Sequence, residues 1–355
     1  MTTAIRLPVA PRAFRDELLS SWMARVAACH GLDVPEMTAY LAGQGGNTPD
    51  LRQIDDMNPD PVLLGLWAEA CRIDPARLWR RSLASRHPDR PRDWFLEGGT
   101  PAVPACLACF DADFAAGRDG YMRADWRLAE RVVCSVHCEL LRDRCPVCGG
   151  LLRIAFRTRH GRLRPFCCQC DALLAGRGGG TAARTDLEFA AGIRALQQQA
   201  EGLVRGGMDH RMRLEHSIRT LWAPLDHVGA ARPVLALWLD QPGWHCPYEA
   251  RAAVGKPEPF QSLPVRWRAL TLVALHDLFG RGLVPDPAAP EAGLTLFRRA
   301  APVPWHGQGR AARDSKGKTA IAGAAGRVRR LSKSPVHRLT GNFAGERGGF
   351  GRIRP

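Results

Sequence analysis

No stretch of this chain stays apolar for the ~20 residues that a helix needs to cross a bilayer, so a membrane-spanning helix is not expected. The opening M-T-T-A-I-R-L-P-V-A lacks the apolar core of a secretory signal, and a reducing, cytoplasmic setting is the expectation that follows. Acidic residues are short, 35 against 50 Lys and Arg, which argues against a strongly acidic surface and favours anionic partners. Catalytic signatures are missing as well. There is no G-x-x-x-x-G-K-[ST] loop, no G-x-S-x-G elbow, no paired-carboxylate motif and no carboxylate set for two catalytic metals. The chain is therefore expected not to be an enzyme.

Cysteine, by contrast, is plentiful, with 12 copies, and its spacing is informative. Cys106 and Cys109 (C-L-A-C), Cys134 and His137 (C-S-V-H), Cys145 and Cys148 (C-P-V-C), and Cys167 and Cys170 form four pairs, each with two residues between its members. That gap lets a tight turn aim both side chains at one ion while backbone N–H groups face the thiolates. Two such turns close the tetrahedral N/S shell of a structural Zn²⁺. Eight ligands make two ions. The simplest assignment is sequential: Cys106, Cys109, Cys134 and His137 for one, Cys145, Cys148, Cys167 and Cys170 for the other. Interleaved pairing and the use of Cys168 in place of Cys167 are the alternatives. His137-Cys138-Glu139 followed by C-P-V-C has parts of a zinc deaminase signature, but its proline lies inside the pair and the two parts stand too close together. Cys29, Cys71, Cys138 and Cys246 read as bystander thiols.

A length of 355 residues suggests several domains. The expected fold is mainly α with a small zinc-stabilised β module. An N-terminal helical part over 1–100 precedes a double zinc-finger module over 101–180, a helical part over 181–300 and a disordered basic tail over 301–355. In the first part Leu18, Leu19, Trp22, Val26 and Cys29 recur at helical spacing, and Asp33 caps a second helix. Leu63, Leu64, Trp67 and Cys71 mark a third. The tetrad Arg72-Ile73-Asp74-Pro75 then turns into A-R-L-W-R-R-S-L, read as one helix capped by Asp74. Two helices so joined fit a helix-turn-helix presenting Arg77, Arg80 and Arg81 to DNA; the competing reading is a helical bundle with a solvated arginine face. Residues 84–105 read as a basic linker. W-R-L-A-E-R-V-V reads as a short strand, and L-L-R-D-R-C-P-V-C-G-G-L-L-R as strand, knuckle, strand, with Gly149 in a left-handed turn.

The series E-L-L-S-S-W-M-A-R, C-L-A-C, W-R-L and C-S-V-H-C-E-L-L-R-D-R-C-P-V-C-G-G-L-L resembles the TniQ family, over roughly residues 7–175. The resemblance implies a non-enzymatic accessory protein of DNA transposition, the recombination that moves mobile elements. Relatives help to choose or present the target site, working on DNA with a AAA+ ATPase and a transposase. Some relatives dimerise and some are coupled to CRISPR effector complexes, so a homodimer and such a complex join the partners it implies. Many relatives carry glycine after the C-x-x-H, where this chain has Cys138.

From Asp186 the periodicity is helical again. Phe189, Ile193, Leu196, Ala200 and Leu203 share one face, as do Leu214, Ile218, Leu221 and Trp222. P-V-R-W-R-A-L-T-L-V-A-L-H-D-L-F reads as a buried central helix. Arg205, Arg211, Arg213 and Arg219 read as a solvated face. Residues 301–355 hold 12 of the 50 Lys and Arg against two acids, and so carry +10 of the formal +15. With ten glycines and eight alanines this segment is either a basic arm on DNA or a frameshift product. The function read first is the transposition accessory; a zinc-containing helix-turn-helix regulator unrelated to transposition is the alternative.

Overall fold

The structure is a computed structural model, and it describes residues 5–43, 54–96, 103–176, 184–225, 232–239, 244 and 246–285. The basic segment 301–355 lies outside the described residues. Two apolar clusters organise the rest. The smaller is built by four helices: α1 (Leu19–Cys29), α2 (Val34–Ala42), α3 (Pro61–Cys71) and α4 (Pro75–Trp79). Trp22, Met23 and Val26 of α1 meet Met37 of α2, Leu63, Leu64 and Trp67 of α3, and Leu78 of α4. Trp22 and Trp67 meet edge to face at 6.3 Å, and the Trp67 indole donates to Thr38 Oγ1 at 3.1 Å. Local sequence sets the starts. Asp33 and Glu36 form a reciprocal capping box on α2, and Asp60 and Asp74 cap α3 and α4 ahead of proline at the first helical position.

The second helix of the expected helix-turn-helix is shorter than read. α4 ends at Trp79 after five residues, and a separate short helix, α5 (Leu83–Arg86), begins after Ser82, whose hydroxyl accepts from Ser85 N at 3.1 Å. Leu83 N donates to Asp56 O at 2.7 Å and turns the chain inward. Nor is the segment after it a simple linker: Trp94, Phe95 and Leu96 are buried, and Leu96 N donates to Arg127 O at 2.8 Å.

The larger cluster joins these residues to Leu18 and Leu83 and continues through α6 (Leu107–Ala115), the hairpin β1 (Ile154–Arg159) and β2 (Arg162–Cys167), and the helices after residue 180. W-R-L-A-E-R-V-V is not a strand. Ala124–Arg127 is a 3₁₀ turn, and only isolated bridges, such as Phe95 with Leu128 and Val133 with Leu140, follow it. The extended pairing falls later, in β1 and β2, which run antiparallel from Ile154 opposite Cys167 to Arg159 opposite Arg162.

Two long helices, α7 (Arg184–Arg205) and α8 (Met208–Leu221), bury the expected faces: Ile193, Leu196 and Ala200 on one, Leu214, Ile218 and Leu221 on the other. Short helices α9 (Leu235–Trp238), α10 (Tyr248–Arg251) and α11 (Pro259–Ser262) lead to α12 (Val265–Phe279). That last helix is buried almost all round, as its composition suggests, with Trp222 and Trp267 edge to face at 6.1 Å. Its Arg268 is 1% exposed and donates to the carbonyls of Ala129, Arg131 and Leu263, tying α12 to the cysteine-bearing segment. One apolar cluster thus takes in residues of both the cysteine-bearing segment and the described helices that follow it. The described residues contain no helix long and apolar enough to cross a membrane.

Candidate metal centres

Each ligand pair sits in a local structure that its sequence dictates. Three of the four are copies of one turn. At Cys134, Cys145 and Cys167 the ligand N–H donates to the carbonyl five residues on (Glu139, Gly150, Ala172), at 2.8, 2.8 and 2.9 Å. The residue four positions on returns its N–H to the ligand's carbonyl: Cys138 to Cys134 at 3.0 Å, Gly149 to Cys145 at 2.9 Å, Asp171 to Cys167 at 2.9 Å. All three of those residues are left-handed, with φ of 53°, 69° and 58°. Cys138 therefore occupies a position that suits glycine. The fourth pair is different. Cys106 is the N-cap residue of α6, without a side-chain capping bond, and Cys109 lies in the first turn of that helix.

These turns converge in two clusters. The sulfurs of Cys106, Cys109 and Cys134 and a ring nitrogen of His137 lie within 4.8 Å of one another, as do the sulfurs of Cys145, Cys148, Cys167 and Cys170. A tetrahedral zinc shell with bonds of about 2.3 Å to sulfur and 2.0–2.1 Å to nitrogen separates its ligand atoms by about 3.6–3.8 Å. In the first cluster Cys109 and Cys134 sulfurs are 3.6 Å apart, and His137 Nδ1 stands 3.3, 3.6 and 3.8 Å from Cys109, Cys106 and Cys134. In the second, Cys145 to Cys170 is 3.7 Å and Cys148 to Cys167 is 4.0 Å. The pairs come together sequentially rather than interleaved. Cys168 stands outside the second cluster, exposed. Burial opposes the Cys145 thiolate, but the N–H groups of Cys148 and Val147 and the contacts with Cys167 and Cys170 outweigh it and hold the thiol down at about 7. Both donor sets fit a metal ion and are consistent with zinc.

The helix that carries S-S-W-M-A-R has a different task. Glu17 and Arg25 are 0% and 1% exposed and pair through both carboxylate oxygens, at 2.8 and 3.0 Å. Ser21 Oγ donates to Glu17 and accepts from Met122 N, and Arg25 Nη2 donates to Asp119 at 3.0 Å. Asp119 in turn accepts from Leu163 N of β2. Trp22 donates to the Pro11 carbonyl, and Ser20 donates twice to Asp56. One helix face thus clamps the N-terminal helices to the cysteine-bearing half. Sequence reasoning singled out the motif but missed this role, because its partners lie up to 101 residues away.

Arg77 and Arg80 are exposed, as a DNA-facing role requires. Arg81 is half-buried, and its guanidinium donates to the Phe14 carbonyl at 2.5 Å. A cavity of about 660 Å³ opens beside the first cluster, bounded by Asp16, Arg86, Tyr121, Arg123 and His137. Arg123 is fixed there by Asp113 at 2.8 Å and lies over the Tyr121 ring.

The architecture and donor sets define a helical protein closed around two four-ligand, knuckle-type clusters, each able to hold a metal ion. The TniQ family model matches residues 8–141, in agreement with the motif series. The match takes in the helical unit, the Glu17–Arg25 clamp and the first cluster, and ends before Cys145. No curated protein matched the chain.

Proposed function

We propose that this chain is a zinc-stabilised, non-enzymatic accessory of DNA transposition that binds DNA and helps to select or present the target site to a AAA+ ATPase and a transposase. The observation that carries the reading is the TniQ match over the segment that holds the clamp and the first ligand cluster. The donor sets support a structural metal role, because each cluster supplies four protein ligands and leaves no coordination position for substrate. DNA contact through a recognition helix is weakened by the size of α4, whose five residues span only about 7–8 Å. Arg77 and Arg80 are left as phosphate contacts at its end rather than as readers of bases. Insertion mapping in cells that carry the mobile element, with and without this gene, tests the proposal. Loss of insertions or a changed target distribution is expected. Unchanged frequency and distribution would remove the accessory role.

A further inference from the structure

Arg153 to Arg164 reads R-I-A-F-R-T-R-H-G-R-L-R, five arginines in twelve residues with no acid among them. The hairpin sorts them. Successive side chains of a strand alternate between faces, and cross-strand partners share a face. Phe156, Leu163, Pro165 and Cys167 are buried on the inner face, where β1 packs against α1. The outer face carries Arg153, Arg157 and Arg159 on one strand and Arg162 and Arg164 on the other, with Arg157 directly opposite Arg164 and Arg159 directly opposite Arg162. Like charges placed opposite each other destabilise a sheet, so stability does not explain this arrangement. Its turn, His160-Gly161, has both residues left-handed, at φ 52° and 69°, and so fixes the register that sets Arg159 beside Arg162.

Local partners neutralise only the base of this face. Arg164 is 7% exposed, donates to the Arg118 carbonyl and lies over the Phe114 ring, and Arg157 pairs with Asp171. Arg153, Arg159 and Arg162 are exposed. We infer that the arginine face at the tip of this hairpin is a docking surface for the phosphate backbone of duplex DNA. Duplex is favoured over single strand by the aromatics. Phe156 and Phe166 are both buried, so the one ring the hairpin exposes to an unpaired base is the His160 imidazole in the turn. A two-stranded ribbon also fits the major groove, about 12 Å wide, which a five-residue helix does not fill. The surface lies outside the segment matched by the family model. It rests on the DNA-binding part of the proposed function and gives that binding an address.

The full chain is titrated with labelled duplex DNA over a range of KCl concentrations, as wild type, Arg159→Ala/Arg162→Ala and Arg77→Ala/Arg80→Ala. The hairpin variant is expected to flatten the slope of log K against log salt by about two and to weaken binding by roughly ten-fold, while the Arg77/Arg80 variant reads the contribution of α4 separately. In parallel, phenylglyoxal modification of the wild type followed by peptide mass spectrometry should show Arg159 and Arg162 protected by duplex, a readout that needs no folded variant. An unchanged slope with both arginines still reactive in the complex overturns the hairpin assignment and leaves DNA binding standing. Stronger competition by single-stranded DNA or RNA than by duplex overturns the duplex assignment. A wild type that binds no duplex overturns both this inference and the DNA-binding part of the proposed function.

Discussion

Replacing Arg25 by Met removes a guanidinium that is 1% exposed and that makes three hydrogen bonds, two to Glu17 and one to Asp119. Glu17, at 0% exposure, keeps only Ser21 Oγ and Phe14 N as donors. Breaking a buried pair from one side costs about 3–5 kcal/mol, because a charge is left without compensation. That is a large share of the ~5–15 kcal/mol that stabilises a domain, and it corresponds to a fall in Tm of roughly 10 °C. The pH dependence gives a second handle. Burial already raises the Glu17 carboxyl above its ordinary 4.5 against the pull of Arg25, and without that pull it rises further. A carboxyl whose folded pKa is raised favours the folded state at low pH and loses that advantage as pH climbs through the folded value. The gap between wild type and Arg25→Met should therefore be wider at pH 8 than at pH 6. Urea unfolding followed by tryptophan fluorescence at both pH values measures it. The double variant Glu17→Gln/Arg25→Met, with no charge to strand, should recover most of the loss. A single-variant loss below about 1 kcal/mol, or a gap that ignores pH, would refute the clamp as drawn.

Elemental analysis of the desalted protein should return two zinc ions per chain; chelation, or Cys145→Ser, should unfold the second cluster and its hairpin, because metal-binding energy in such units is folding energy. Gly149→Ala should cost about 1–2 kcal/mol in chemical denaturation. An added Cβ there meets nothing within 4 Å, so the loss isolates the left-handed φ of 69°. By the same reasoning Cys138→Gly, at φ 53°, should be neutral or stabilising by up to about 1 kcal/mol, and a clear destabilisation would show that the thiol itself is needed.

The ligand pairs were legible in the sequence because a knuckle is local. Two residues between ligands and a left-handed residue after the second suffice to build it, and Gly149 announced its turn. The long helices were legible for a related reason, since a 3.6-residue period states which face will be buried. What the sequence hid depends on distant partners. A-R-L-W-R-R-S-L reads as one helix until Ser82 caps a new one and Leu83 N finds Asp56 O. The stretch before Leu96 looked like a linker because proline, aspartate and arginine crowd it. Trp94 is nevertheless buried, its indole donating to Glu215 of α8 at 2.8 Å. The hairpin was obscured by its arginines, which mask an alternation that only the register reveals.

The same long-range contacts decide what the C-terminal helices are for. The Gln197 side chain, 0% exposed on α7, accepts hydrogen bonds from Val132 N and Val133 N at 2.9 and 2.8 Å, immediately before the ligand Cys134. Without α7 those two buried N–H groups would lose their partner, at about 1–3 kcal/mol each. Arg268 of α12 plays a similar part for the carbonyls of Ala129 and Arg131, and Asp143, two residues before Cys145, accepts from Val265 N at 2.7 Å. The backbone entering both metal clusters is thus held by side chains and N–H groups from helices beyond residue 180. A truncation placed at the end of the family match would keep the first cluster's four ligands and remove the scaffold that aims them. The helical C-terminal half belongs to the metal centres structurally, whatever further partner it also serves.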